Sequence, residues 1–138
     1  ITPSGLEGEN KPIVVEVDGS VTGAEVEDLD ANGFPEIYVY VSSAGSGSSG
    51  SLLAYAANQK KSLTEIFLPN LEEDKVSSKG YMGHDQFAVG EGSLLRRFPI
   101  YKTGDSNAKP TGKIRQLQYK LKAGEAGWLL KIDKTTEY

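Results

Sequence analysis

Short apolar–polar alternations divided by turn residues place this chain among the all-β proteins, as an antiparallel β-sandwich of about eight to nine strands. Three observations carry that expectation. No segment repeats its apolar residues at the helical period of about 3.6 residues. Turn signals such as Asp18-Gly19, Asn32-Gly33 and Glu91-Gly92 recur along the chain. The 138 residues contain no internal repeat and no linker that would divide them, so residues 1–138 form one domain with one core.

The elements follow in order. Ile1 to Lys11 is polar and reads as a loose lead-in. Ile13, Val15 and Val17 then point one way and Glu16 the other, and Asp18-Gly19 offers a hairpin turn because both residue types tolerate positive φ. The return strand is expected to turn Ala24 and Val26 inward and Glu25 and Glu27 outward. Glu36 to Val41 gives the strongest strand signal, with Ile37, Val39 and Val41 on one face and Tyr38 and Tyr40 on the other. Two apolar faces point to a central strand.

Ser42 to Gly50 is a run of small residues, and Leu52 to Ala57 and Leu63 to Leu68 are the next strands. Pro69 to Gly83 is a polar connection in which Leu71 to Lys75 supports one helical turn at most. Gln86 to Val89 and Leu94 to Tyr101 form a hairpin, and Lys102 to Gly112 a long loop. In the last hairpin Leu117, Tyr119 and Leu121 alternate with Gln118, Lys120 and Lys122, and after the Gly124 to Gly127 turn Trp128, Leu130 and Ile132 alternate with Leu129, Lys131 and Asp133.

Composition narrows the function classes. With 38% hydrophobic and 25% charged residues the chain is a globular sequence, and no apolar run approaches the roughly 18 residues of a membrane helix. Fifteen basic residues against 19 acidic ones give a net charge of −4, the wrong balance for nucleic acid, whose phosphates need a basic footprint. Without cysteine there is neither a disulfide framework nor thiol chemistry. The chain opens on Ile1 rather than Met, which fits the removal of a signal peptide or a shortened start.

Four groups of residues are candidates for chemistry. His84, the one histidine, stands beside Asp85, but no Gly-x-Ser-x-Gly elbow accompanies it, and a turn with local hydrogen bonds is the simpler reading. No enzyme activity and no cofactor are therefore expected. Asp28, Asp30, Asn32 and Glu36, with Gly33 among them, offer the oxygen ligands that calcium prefers, although Val39 stands where an EF-hand has its last glutamate. The plainer reading is a turn in which Asp and Asn cap their own backbone. Arg96 and Arg97 fall on opposite faces of a strand, one exposed and the other free to pair with an acid. The run Ser42 to Gly50 is either a linker or a protruding loop slim enough to enter a cleft.

Several stretches together resemble the bacterial periplasmic inhibitors of invertebrate-type (i-type) lysozymes. They are Asp30 to Tyr40, Ser43 to Ser48, Gly80-Tyr81-Met82-Gly83-His84-Asp85, Arg96-Arg97-Phe98-Pro99-Ile100-Tyr101, Gly104 to Ala108, Pro110-Thr111-Gly112, and Gly124 to Trp128. The resemblance implies an exported β-sandwich, periplasmic or secreted and often a homodimer, whose partner is an i-type lysozyme. It implies inhibition by insertion of a loop into the glycosidase cleft. That loop carries a Ser-Gly-x-Tyr motif in the family. Ser46, Gly47, Ser48 and Ser49 are its nearest match and so the expected partner-binding residues, with Ser49 in the tyrosine position. A second register, Ser49-Gly50-Ser51-Leu52, also lacks the tyrosine. The alternative is an extracellular or periplasmic binding module, calcium-stabilised, with a different ligand.

Overall fold

A computed structural model describes residues 1–8, 10–43, 49–58, 62–90, 92–106, 108–124 and 127–138. Eight strands are present: β1 (Ser20–Glu27), β2 (Glu36–Ser42), β3 (Gly50–Asn58), β4 (Ser62–Phe67), β5 (Gln86–Gly90), β6 (Ser93–Pro99), β7 (Ile114–Gly124) and β8 (Gly127–Glu137). The only helical element among the described residues is a 3-10 turn at Leu71–Glu73, capped by the Asn70 side chain. It falls where one helical turn was expected. Among the described residues no helix is long and apolar enough to cross a membrane.

The all-β class is as expected. The strands form one continuous sheet in the order β1-β2-β3-β4-β8-β7-β6-β5. Its neighbours are antiparallel except β4 and β8, which pair in parallel over Ile66↔Trp128 and Phe67↔Leu129 only. That short seam joins the β1–β4 half to the β5–β8 half. The sheet's two ends, β1 and β5, approach each other, so it wraps nearly closed.

One core fills the interior. Tyr38, Phe98, Leu94, Leu117 and Leu130 are its most deeply buried side chains. Each apolar side chain of this size contributes about 1.5–3 kcal/mol by leaving water. Leu117, Tyr119 and Leu121 are buried as their alternation predicts, and so is Leu130 opposite Leu121. β2 is a central strand, paired on both sides, with Tyr38, Tyr40 and Val41 buried.

The N-terminal third departs from expectation in two ways. Ile13 to Val17 is not a strand, and Asp18-Gly19 does not turn a hairpin. Ile13 exchanges hydrogen bonds with Ile1 instead, and Val14 and Val15 stay exposed. The segment joins no sheet among the described residues, and it is β1 that pairs with the outer edge of β2.

The second departure is the orientation of β1. Ala24 and Val26 face outward, with Val26 64% exposed, while Glu25 turns toward the seam with β5. One carboxylate oxygen of Glu25 accepts from the Tyr40 hydroxyl at 2.7 Å and from the Val89 amide at 2.7 Å. The amide of an edge strand needs an acceptor, and here a side chain supplies it in place of a ladder. This polar demand across the seam outweighs the burial of one valine.

Candidate functional site

The Gly/Ser run joins β2 to β3. Ser42 pairs with Gly50, and the Ser43 amide donates to the Ser49 carbonyl at 2.9 Å, so the hairpin stem is formed up to Ser49. Of the expected partner-binding residues, Ser46, Gly47 and Ser48 lie outside the described residues. Ser49 is exposed at the top of the stem. Of the second register, Gly50, Ser51 and Leu52 lie on β3, where Leu52 packs against the core.

The stem is gripped from both sides through glycines. At Gly19, with φ of 141°, a Cβ would collide with the Ser42 carbonyl oxygen. At Gly50 a Cβ would lie 2.7 Å from the Asp85 Cβ and 2.7 Å from the Phe87 ring. Only a residue without a side chain allows such close backbone approach.

Behind Gly50 is a buried polar cluster. Asp85 Oδ1 accepts from the Gly50 amide at 2.9 Å and from the Tyr81 hydroxyl at 2.6 Å. Asp85 Oδ2 pairs with Arg96 Nε at 2.6 Å, and the two side chains are 0% and 6% exposed. The Arg96 guanidinium also donates to the Tyr81 oxygen at 3.3 Å and lies over the Tyr81 and Phe87 rings. Burial, then the bond to the Asp85 carboxylate, pushes the Tyr81 hydroxyl up to about 12, so it remains a donor.

β6 places the arginine. Leu94, Arg96 and Phe98 share its inner face, while Arg97 points to solvent and donates to Gln116. The two arginines thus divide as the alternation predicts. The sequence did not reveal the rest of the cluster. Tyr81, Asp85 and Arg96 sit in two of the stretches that carry the family resemblance, but nothing in their spacing shows that they meet at Gly50. An arginine flanked two residues either side by core residues was the one available signal.

His84 adopts a left-handed backbone with φ of 60°, and its buried Nε2 has no hydrogen-bond partner. Its ring stacks toward Tyr101 at 6.2 Å. Both oxygens of the neighbouring Asp85 are engaged by Gly50, Tyr81 and Arg96. A cavity of about 480 Å³ lies beside the stem, lined in part by Thr22, Tyr40, Ser42, His84 and Phe87.

The acidic turn lies between β1 and β2. One carboxylate oxygen each from Asp28, Asp30 and Glu36 lies within 4.8 Å of the others. Asn32 is occupied otherwise, since its side-chain oxygen accepts from the Phe34 amide at 2.8 Å. Asp28 likewise accepts from the Asn32 and Gly33 amides. These are the self-capping bonds of a plain turn. Glu36 is 1% exposed and accepts from the Leu29 amide at 2.8 Å and the Tyr38 hydroxyl at 3.2 Å. Its burial, opposed by the Leu29 amide and reinforced by the charges of Asp30 and Asp28, raises its carboxyl to about 7. Asp30 is raised too, by burial and by its contact with Asp28.

Calcium tests this turn directly. On the plain-turn reading, micromolar calcium shifts the melting temperature by less than about two degrees, because mass action needs a site that binds the folded state. A shift of many degrees, lost in Asp30→Ala, would instead assign the three carboxylates to a cation.

No family model, curated protein or solved structure matches the chain.

Proposed function

We propose that this chain inhibits an i-type lysozyme by presenting its Gly/Ser hairpin loop to the active-site cleft, without covalent chemistry or a cofactor. The observation that carries the reading is the stem. Ser42, Ser43, Ser49 and Gly50 are held between Gly19 and the Asp85–Arg96 cluster, and this stem carries a run of small residues. A rigid base beneath a slim loop is the form that cleft insertion needs, because preorganisation lowers the entropy lost on binding. The stretches resembling the inhibitor family include Tyr81, Asp85 and Arg96, which meet at that base. Export to the periplasm or beyond, and a homodimer, belong to the same proposal.

The chemistry is polar and steric. Lysozymes work with two carboxyl groups in a cleft shaped for sugars. Serine hydroxyls and backbone amides can bond those carboxylates as a sugar would, at about 1.5–3 kcal/mol per charge-assisted bond. Ser49 offers no flat aromatic anchor at the rim, where the family has tyrosine.

The test is inhibition of i-type lysozyme, run beside lysozymes of other types. Ser46→Trp is expected to abolish inhibition by blocking entry, while Ser46→Ala costs about 1–3 kcal/mol for one unsatisfied partner. Ser49→Tyr restores the aromatic and should tighten binding, mainly through slower dissociation. Equal inhibition by the parent and Ser46→Trp would end the insertion reading.

The second reading, a calcium-stabilised binding module with another ligand, is favoured by the convergence of Asp28, Asp30 and Glu36. The calcium titration separates the two.

A further inference from the structure

We infer that Asp85 is a positioning residue: its carboxylate fixes the Gly50 amide and thereby sets how the β2–β3 hairpin leaves the sheet. This rests on the proposed loop-insertion reading for its functional consequence, but its geometry stands alone.

Gly50 pairs with Ser42 at the last rung of the β2–β3 ladder. Its amide nonetheless donates to Asp85 Oδ1, on the segment leading into β5 at the opposite end of the sheet. The bond therefore crosses the seam and ties the hairpin stem to the other half of the fold. Phe87 stacks on Tyr40 at 5.7 Å beside it, a second contact across the same seam. The absence of a Cβ at Gly50 is what lets Asp85 come so close.

Asp85 is itself held rigidly. Arg96 takes its second oxygen, Tyr81 shares the first, and the side chain has no exposure to solvent. A fully buried carboxylate whose oxygens are both engaged has essentially one orientation open to it. The position of the Gly50 amide is thereby referred to β6 through Arg96, rather than to its own hairpin alone.

A buried ion pair could equally serve only stability, so the experiment must separate position from stability. The double variant Asp85→Ala/Arg96→Met removes both charges together. Such paired replacement of a buried ion pair by apolar groups is commonly neutral for folding. Asp85→Asn is the second variant, keeping the side chain's shape. For the parent and both variants, amide exchange at Gly50 and backbone 15N relaxation over Ser42, Ser43, Ser49 and Gly50 would be measured. Inhibition of i-type lysozyme would be assayed on the same samples, with urea unfolding as the stability control.

The expected result is faster Gly50 exchange and lower order confined to the stem in the double variant, whose urea midpoint stays near the parent's. Inhibition falls about tenfold or more, as for loss of an interface's central support. Unchanged Gly50 exchange in a folded double variant overturns the inference. So does faster exchange with inhibition at the parent level, or inhibition losses that simply follow the urea midpoints. A parent without inhibitory activity removes the proposed function, and the exchange and relaxation at the stem then decide the positioning role by themselves.

Discussion

Arg96→Met is expected to destabilise the fold by about 3–5 kcal/mol, the cost of leaving a buried charge without its partner. Methionine keeps much of the arginine's volume between Leu94 and Phe98, so packing is largely preserved and the loss is electrostatic. What remains is the Asp85 carboxylate, 0% exposed, with only the Gly50 amide and the Tyr81 hydroxyl to stabilise it. The cation–π contacts of Arg96 with Tyr81 and Phe87 are lost as well. Urea unfolding measures the effect as a lower midpoint at constant slope. Adding Asp85→Ala to the same chain should recover most of the loss, because the stranded charge is then gone. A single variant within about 1 kcal/mol of the parent would show that the pair is far better solvated than its burial implies.

Stability is also expected to fall as pH rises from about 4.5 to about 7, through Glu36. The ordinary value of its carboxyl is 4.5, and the folded protein raises it to about 7. Between those values the folded state holds a proton that the unfolded state has released. Stability then decreases with rising pH, and the Glu36 contribution is present below about 4.5 and lost above about 7. The sign is opposite to that of a salt-bridged acid, because burial rather than a counter-charge dominates here. Glu36→Gln should remove this slope and raise stability at pH 8. Its amide oxygen can still accept from the Leu29 amide and the Tyr38 hydroxyl, while the repulsion from Asp30 and Asp28 disappears. Urea midpoints at about pH 5 and pH 8 for both chains read it out. Parallel pH profiles for parent and Glu36→Gln would contradict the assignment. A cation at the acidic turn would favour the ionised form, so calcium that flattens the parent's slope would support the second reading.

The strands from β2 onward were legible because alternation and turn residues act locally. Leu117, Tyr119 and Leu121 are buried on any partner that covers one face of their strand. β1 was not legible in the same way. Val26 looks like a core residue and Glu25 like a surface one, yet the closing seam asks for an acceptor at Val89 and Tyr40 and the strand turns its glutamate toward them. Ile13 to Val17 has the pattern of a strand, yet Ile13 bonds to Ile1 and the segment joins no sheet among the described residues.

The same division runs through the candidate site. The chain's own order of residues determined an all-β domain, a Gly/Ser segment after its strongest strand, an acidic turn before it, and the separation of Arg96 from Arg97. Tertiary structure alone decided that Asp85 meets Arg96, Tyr81 and Gly50. It also decided that Glu36 lies buried beside two other carboxylates. Local pattern sets which way a side chain can point, since it depends on backbone sterics and a two-residue period. Which charge it finds there depends on how the sheet closes, and closure brings together residues tens of positions apart that no local spacing records.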